Sequence, residues 1–284
     1  MNSFQLIRNL HFHDQLYTKK MLPSDISFPT CSKIPPYVQC GTLKFKSPKK
    51  VGKGKSGVVY KYKNQKNKFV LKVFKKGKEI QKDKVIKKLQ SLGQENYCNV
   101  IPVKTVKNKN WVYTVMPSLQ KFKAPLSQKE AYSVWKSIIK QMDCLMKYGM
   151  YYYDLKIDNT LQKKGKYYRI DLGSVYFKGD KDDPVSSFNI YTPENGWKHM
   201  SHTTHVQNMK FLSILYFLDL LGYKELVDFI DMTAESLFET DESEFLEECQ
   251  YVMSDAIQAI EPKIKKKIAE ALHKYVKKDI PLCV

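Results

Sequence analysis

The residues with the clearest chemical potential are three glycines in one short segment. Residues 52–59 read Gly-Lys-Gly-Lys-Ser-Gly-Val-Val, a complete G-x-G-x-x-G-x-V pattern built on Gly52, Gly54 and Gly57. Because glycine has no Cβ, such a segment lets the backbone approach phosphate oxygens closely. It lies between two strand candidates, which argues against a dinucleotide-binding fold, and no Gly-Lys-Ser/Thr ends it as in a Walker A loop. A tight hairpin alone explains the glycines equally well.

Four further elements follow in order. A lysine ends a β-like run 15 residues after Gly57, and an Asp-Leu-Lys-Ile-Asp-Asn segment comes much later. An Asp-Leu-Gly and a Thr-Pro-Glu complete the series; the elements are Lys72, Asp154–Asn159, Asp171–Gly173 and Thr192–Glu194. Each is a weak or moderate signal alone. Together, in this order and at these spacings, they resemble the eukaryotic-type protein kinase superfamily over about residues 42–222.

The resemblance implies a nucleotide site in the first part of the chain. The three glycines would fold over the phosphates of ATP, and Lys72 would hold the α- and β-phosphates. Val59 and Val70 would cover one face of the adenine and Leu161 the other. Residues Met116 to Leu119 would form the hinge between the lobes.

The resemblance also implies a reaction centre. Asp154 would accept or orient the proton of the substrate hydroxyl, and Lys156 would neutralise charge on the moving phosphoryl group. Asn159 and Asp171 would hold Mg²⁺, since hard cations prefer amide and carboxylate oxygens. The D-L-K-x-x-N pattern is typical of Ser/Thr kinases, whereas tyrosine and aminoglycoside-type kinases usually lack the lysine. The expected activity is therefore ATP- and Mg²⁺-dependent phosphoryl transfer to Ser or Thr hydroxyls of proteins.

Some positions depart from the family pattern. Tyr152 and Tyr153 stand where the family has His-Arg, so no arginine is available there to pair with a phosphorylated activation loop. The acid that pairs with Lys72 is either Glu79 or Asp83. These departures leave open an alternative, a catalytically weak pseudokinase scaffold that binds partners through its charged surfaces.

Hydrophobic periodicity indicates the elements that position these residues. Alternation predicts strands at 42–46, 58–62, 69–74, 100–103 and 111–116, with one helix at 79–92. Three-four spacing predicts helices at 131–146, 207–221, 224–236, 243–260 and 262–278. A small β-rich half before a larger helical half predicts an α+β, two-lobe, protein-kinase-like fold. We expect an N-terminal extension at 1–41, an N-lobe at 42–117 and a C-lobe at 118–284.

Composition places the chain among globular proteins. The 284 residues are 43% hydrophobic and 13% aromatic. The six cysteines form no C-x-x-C pair and predict reduced thiols in an intracellular protein. The most apolar run, residues 211–221, is 11 residues long, whereas a membrane span needs about 20. We expect a cytoplasmic protein, and its compactness and drifted motifs resemble kinases of large DNA viruses or intracellular pathogens.

Charge is segregated along the chain, which carries a net charge of +19. Residues 42–90 contain 18 lysines and two acids, whereas residues 219–258 contain twelve acids and one lysine. Because Lys53 and Lys55 lie within the glycine-rich segment and Lys198 lies just past Thr192–Glu194, we expect protein substrates with acidic residues near the acceptor. Nucleic-acid binding by the basic half is the less favoured alternative, because the lysines lack regular aromatic interleaving.

Overall fold

The computed structural model describes residues 37–282 except for 41–42, 47–48, 55–56, 64–67, 75–79, 92–97, 99–103, 108–111, 164, 181–183, 185, 187, 193–195 and 238–240. The expected N-terminal extension at 1–41 therefore lies outside the described residues, apart from 37–40. The chain forms two compact units. The first includes the described residues up to Asn96 together with Ile101–Leu119, and the second contains Tyr97–Val100 and Gln120–Val284.

The first unit is rich in strands. A hairpin of β1 (Tyr37–Cys40) and β2 (Leu43–Lys46) precedes a five-stranded antiparallel sheet of order β3-β4-β5-β7-β6. One helix, α1 (Ile80–Ser91), buries Val85 and Leu89. The sheet strands are β3 (Lys49–Gly54), β4 (Gly57–Lys63), β5 (Lys68–Phe74), β6 (Lys104–Lys107) and β7 (Val112–Pro117).

The second unit is mainly helical. Its helices are α2 (Gln128–Met146), α3 (His202–Leu221), α4 (Lys224–Leu237), α5 (Glu242–Ile260) and α6 (Lys266–Val276). Two antiparallel strand pairs lie between α2 and α3 in the chain. They join β8 (Met150–Tyr152) to β11 (Val175–Phe177) and β9 (Thr160–Lys163) to β10 (Lys166–Arg169).

Helix α3 is the centre of the helical core. Its residues from Thr204 to Leu218 are all buried, because α2, α5 and α6 pack around it. The indole nitrogen Nε1 of Trp135 on α2 donates to the Ser213 carbonyl at 3.0 Å. Ser201 caps the N-terminus of α3, and Gly222 ends it with φ = 84°, a conformation that glycine adopts without steric cost.

The predicted α+β organisation, a β-rich part before a larger helical part, is confirmed, with differences at element ends. Helix α3 begins at His202 rather than 207, since the Ser201 cap precedes its apolar residues. The predicted strand at 100–103 lies outside the described residues, and the strand found next along the chain is Lys104–Lys107. The last helix is shorter than predicted because a 3₁₀ turn, Glu261–Lys263, precedes it.

The expectation that all cysteines are reduced thiols is wrong for one pair. Cys98 and Cys144 form a disulfide across a sequence separation of 46 residues, which no local spacing could indicate. Cys249 is a buried free thiol. In the part of the chain that the structure describes, no helix is long and apolar enough to cross a membrane.

Candidate active site

The sheet of the first unit brings the predicted nucleotide-binding residues onto one face. Strand register places Gly52 opposite Val59, and Val59 opposite Lys72. Two residues further along β5, Val70 lies opposite Met116. Since directly opposite residues and residues two apart share a face, Val59, Val70 and Lys72 lie on one face of the sheet, at register positions that also include Gly52 and Met116.

The glycine-rich segment forms the end of a hairpin in this sheet. Gly54 pairs with Gly57 at the end of β3 and β4. The side chain of Lys72 is half-buried, and Leu119, two residues after β7, is also half-buried. Of the two candidate partners of Lys72, Glu79 lies outside the described residues and Asp83 lies on α1.

The predicted catalytic loop lies in the second unit and holds the Asp154 carboxylate from both sides. Lys156 Nζ donates to Asp154 Oδ1 at 2.8 Å, and Asn159 Nδ2 donates to Oδ2 at 2.7 Å. Asp154 is only 5% exposed, whereas the Lys156 side chain is 42% exposed. Charge-assisted hydrogen bonds of this kind fix the position of a carboxylate. The structure thus brings together Asp154, Lys156 and Asn159.

Asp171 is placed beside this loop by the backbone. The Ile170 amide donates to the Asn159 carbonyl at 2.8 Å, so the next residue follows directly from the loop. Asp171 has φ = 64°, and it is the one non-glycine residue with positive φ in the described part of the chain. Such backbone strain persists where surrounding contacts impose it, often at functional sites. Leu161 follows on β9, half-buried, and its neighbour Gln162 pairs with Gln120.

The buried Arg169 contacts residues on both sides of Tyr153 at the start of the predicted catalytic loop. From the sequence alone it was assigned no role. Arg169 is 3% exposed, and its guanidinium carbon lies 3.5 Å from the centroid of the Tyr152 ring. Its Nη2 donates to the Asp154 carbonyl at 3.4 Å. The Tyr152 hydroxyl donates to the Ile170 carbonyl at 2.6 Å. The one sequence signal is rarity, because Arg169 is one of two arginines in a lysine-rich chain.

Two tyrosines before Asp154 contact two histidines on α3. The Tyr153 hydroxyl shares a 2.6 Å hydrogen bond with Nδ1 of the buried His205 on α3. The Tyr151 ring stacks on the His205 ring with centroids 4.1 Å apart, and its hydroxyl bonds His202 Nδ1 at 2.7 Å. Burial raises the pKa of both tyrosines, so both hydroxyls keep their protons at neutral pH.

Asn208 on α3 binds the backbone of the segment that precedes Thr192. Its Oδ1 accepts from the Tyr191 amide and its Nδ2 donates to the Tyr191 carbonyl, both at 3.1 Å. It therefore anchors the chain just before Thr192. The Tyr153 carbonyl in the catalytic loop instead accepts from Ser186 Oγ at 3.3 Å.

A model of the protein kinase domain matches residues 45–207, more than half of the chain. The chain belongs to the protein kinase family. Its fold is similar to that of the kinase PK-1 of Cydia pomonella granulovirus, with a TM-score of 0.52 and 14% identity, covering 82% of this chain and 88% of that one.

A second solved structure, vaccinia related kinase 3, gives a TM-score of 0.48 and 11% identity, with 95% and 91% of the two chains covered. No curated protein sequence matches the chain. The kinase match covers the glycine-rich segment, Lys72, the catalytic loop and Asp171, and it ends one residue before Asn208.

The buried histidine predicts a specific dependence of stability on pH. Burial, together with the nearby charges of Lys178 and His202, lowers the pKa of His205 to about 3. The unfolded chain binds a proton near the ordinary pKa of about 6.5. The free energy of unfolding should therefore fall as the pH drops from about 6.5 towards 3, because the unfolded state binds a proton that the folded state does not bind.

Urea titrations at a series of pH values test this. His205→Gln should flatten the decline in the free energy of unfolding between pH 7 and pH 5 by removing the titrating group. His199→Gln, a change at an exposed histidine, should keep the wild-type slope. Parallel pH profiles for wild type and His205→Gln would contradict the assignment.

Proposed function

We propose that this chain is an active protein kinase that transfers the γ-phosphoryl group of ATP to Ser or Thr hydroxyls of proteins. One observation carries the proposal: Asp154 is held by Lys156 and Asn159, beside Asp171, in a chain of the kinase family. Phosphoryl transfer to a hydroxyl needs a carboxylate positioned to take the hydroxyl proton and a cation near the phosphoryl group.

In this proposal the first unit binds the nucleotide. Gly52, Gly54 and Gly57 cover the phosphates, and Lys72 holds the α- and β-phosphates. The apolar residues of the same sheet face, Val59 and Val70, contact the adenine from one side. Leu161 contacts the other side, and residues Met116 to Leu119 connect the lobes. We assign residues 42–117 to the N-lobe, 118–284 to the C-lobe and 1–41 to an extension.

The second unit carries the transfer step. The acceptor hydroxyl gives its proton to Asp154, its oxygen forms a bond to the γ-phosphorus, and the bond to the bridging oxygen of ADP breaks. Lys156 keeps its positive charge next to the transferred phosphoryl group. The side-chain nitrogen Nδ2 of Asn159 donates to Asp154. The side-chain oxygen Oδ1 of Asn159 and the Asp171 carboxylate would then hold Mg²⁺. Bound Mg²⁺ neutralises phosphate charge.

The competing function is a pseudokinase scaffold, favoured by Tyr152 and Tyr153 at the His-Arg positions. In favour of an active kinase, both tyrosines are buried and hydrogen-bonded beside Asp154, so they support this segment without a His-Arg pair. Stabilisation by ATP with Mg²⁺, without transfer to any protein or to the chain itself, would favour the scaffold.

Replacing the proposed base should separate chemistry from binding. Asp154→Asn should lower phosphoryl transfer by about 10²–10⁴-fold, the usual contribution of a general base. Nucleotide binding, followed by thermal shift with ATP and Mg²⁺, should persist, because Asp154 is assigned to the hydroxyl and not to the nucleotide.

A neighbouring aspartate provides the matched control. Asp158 is exposed and pairs with Lys121 at 2.9 Å, with side-chain exposures of 77% and 74%. Exposed ion pairs contribute little, so Asp158→Asn should transfer phosphate at nearly the wild-type rate. Wild-type activity in Asp154→Asn would remove that residue from the mechanism.

We also propose a preference for acidic substrates. Lysines at 53, 55 and 198 flank the proposed acceptor site in the kinase pattern, and they would concentrate anionic peptides near it. Peptides with Asp, Glu or phosphoserine around the acceptor should therefore show a higher kcat/KM than peptides with Lys or Arg there. The advantage should shrink as salt is added. Selection of basic flanks in a positional-scanning array would contradict this preference.

A further inference from the structure

Two neighbouring helices expose large apolar side chains that the core does not use. Phe229 and Met232 on α4 are 61% and 66% exposed, and Tyr251 on α5 is 69% exposed. The opposite sides of these helices carry the core contacts; the buried residues there include Val227, Ile230, Phe245 and Met253. Phe229 and Met232 lie three residues apart and so share one face of α4, and Tyr251 lies on the exposed side of the helix packed against it. Exposed apolar side chains of this kind mark an association surface rather than part of the fold.

Acidic residues surround these side chains at helical spacing. On α4, Glu225 and Asp228 are exposed and share a face with Phe229 and Met232, since they lie three or four residues apart. On α5, Glu247 lies four residues before Tyr251 on the same face and is also exposed. Helices α4 and α5 pack against each other. We call Glu225, Asp228, Phe229, Met232, Glu247 and Tyr251 the acidic-aromatic face.

We propose that the acidic-aromatic face docks a protein segment that combines lysine or arginine with apolar side chains. The acids attract cationic side chains and repel anionic ones. The rings of Phe229 and Tyr251 accept both apolar groups and the guanidinium or ammonium groups of such a segment. The proposal does not depend on phosphoryl transfer by the chain.

Charge excludes other surfaces as the occupant. Anionic lipid headgroups and nucleic acid would both be repelled by the twelve acids and single lysine of residues 219–258. The whole chain has a net charge of +19 although residues 219–258 are strongly negative, so the rest of the chain is strongly positive. A cationic segment therefore gains attraction here and is repelled elsewhere. The acidic-aromatic face is thus selective for cations.

A second copy of the chain is the less favourable occupant. Its lysine-rich residues 42–90 match the charge, but a contact between that segment and the acidic-aromatic face would join two different surfaces. Such a heterologous contact does not close on itself unless it forms a ring, and it otherwise produces open filaments. A separate partner forms a finite complex without this constraint.

Binding of defined peptides to the full chain tests the proposal. The probe is a fluorescein-labelled amphipathic peptide of lysine and leucine, compared by anisotropy with one in which glutamate replaces lysine and one in which serine replaces leucine. The lysine–leucine peptide should bind in a salt-dependent way, and the other two should bind at least about tenfold more weakly, as expected when charge or anchoring contacts are lost.

Surface variants locate the binding. Phe229→Ser with Tyr251→Ser should weaken binding by about tenfold or more, and Asp228→Lys with Glu247→Lys should do the same. The matched controls are Leu282→Ser and Glu270→Lys, an exposed apolar and an exposed acidic residue outside this face, and both should bind as wild type does. All of these positions are exposed, so the variants should keep the wild-type melting temperature.

Three outcomes would overturn the proposal. One is equal binding by wild type and both face variants. A second is equal binding of the lysine and glutamate peptides. The third is concentration-dependent self-association in sedimentation velocity that both face variants abolish, which would assign the face to a second copy of this chain.

Discussion

The proposed catalytic loop, residues 152–159, depends on one buried cation. The guanidinium of Arg169 lies against the Tyr152 ring and donates to the Asp154 carbonyl, so it contacts the chain on both sides of Tyr153. A buried charge is costly unless it is compensated, and here a ring face and a carbonyl provide part of the compensation. Nε and Nη1 have no hydrogen-bond partner among the described residues. The contacts of Arg169 with Tyr152 and Asp154 therefore fix the backbone on both sides of Tyr153.

The same arginine connects the loop to the metal-binding positions we propose. It ends β10, opposite Thr160 on β9, and the next amide, of Ile170, donates to the Asn159 carbonyl. Tyr152 in turn donates to the Ile170 carbonyl. These contacts therefore connect three stretches of backbone, which lie just before Asp154, just after Asn159 and just before Asp171. On the other side, the Tyr153 hydroxyl bonds His205 on α3, which connects this segment to the helical core.

The sequence predicted most of the elements because their signals are local. Three-four spacing in α2 corresponds to the buried residues Ala131, Val134, Trp135 and Ile138, and alternation identified the strand of Lys72. It did not identify β3, the strand that carries Gly52 and Gly54, because lysines and glycines alternate there instead of apolar residues. The contacts that support the loop could not be predicted in this way. Arg169 and Tyr152 lie in two different strand pairs and meet only in the tertiary fold, as Cys98 and Cys144 do. The Ser201 cap was a local signal that would have placed the start of α3 correctly.

We expect the buried Arg169 to position the proposed catalytic loop without contacting substrate. The most direct measurement is steady-state kinetics of Arg169→Met and Arg169→Lys, with Lys166→Met, an exposed change on the same strand, as control. We expect Arg169→Met to lower kcat by about tenfold or more, a loss of roughly 1.4 kcal/mol in transition-state stabilisation, with the KM for ATP unchanged. Lysine should restore only part of kcat, since it lacks the planar group that stacks on Tyr152. A folded Arg169→Met protein with wild-type kcat would contradict the account.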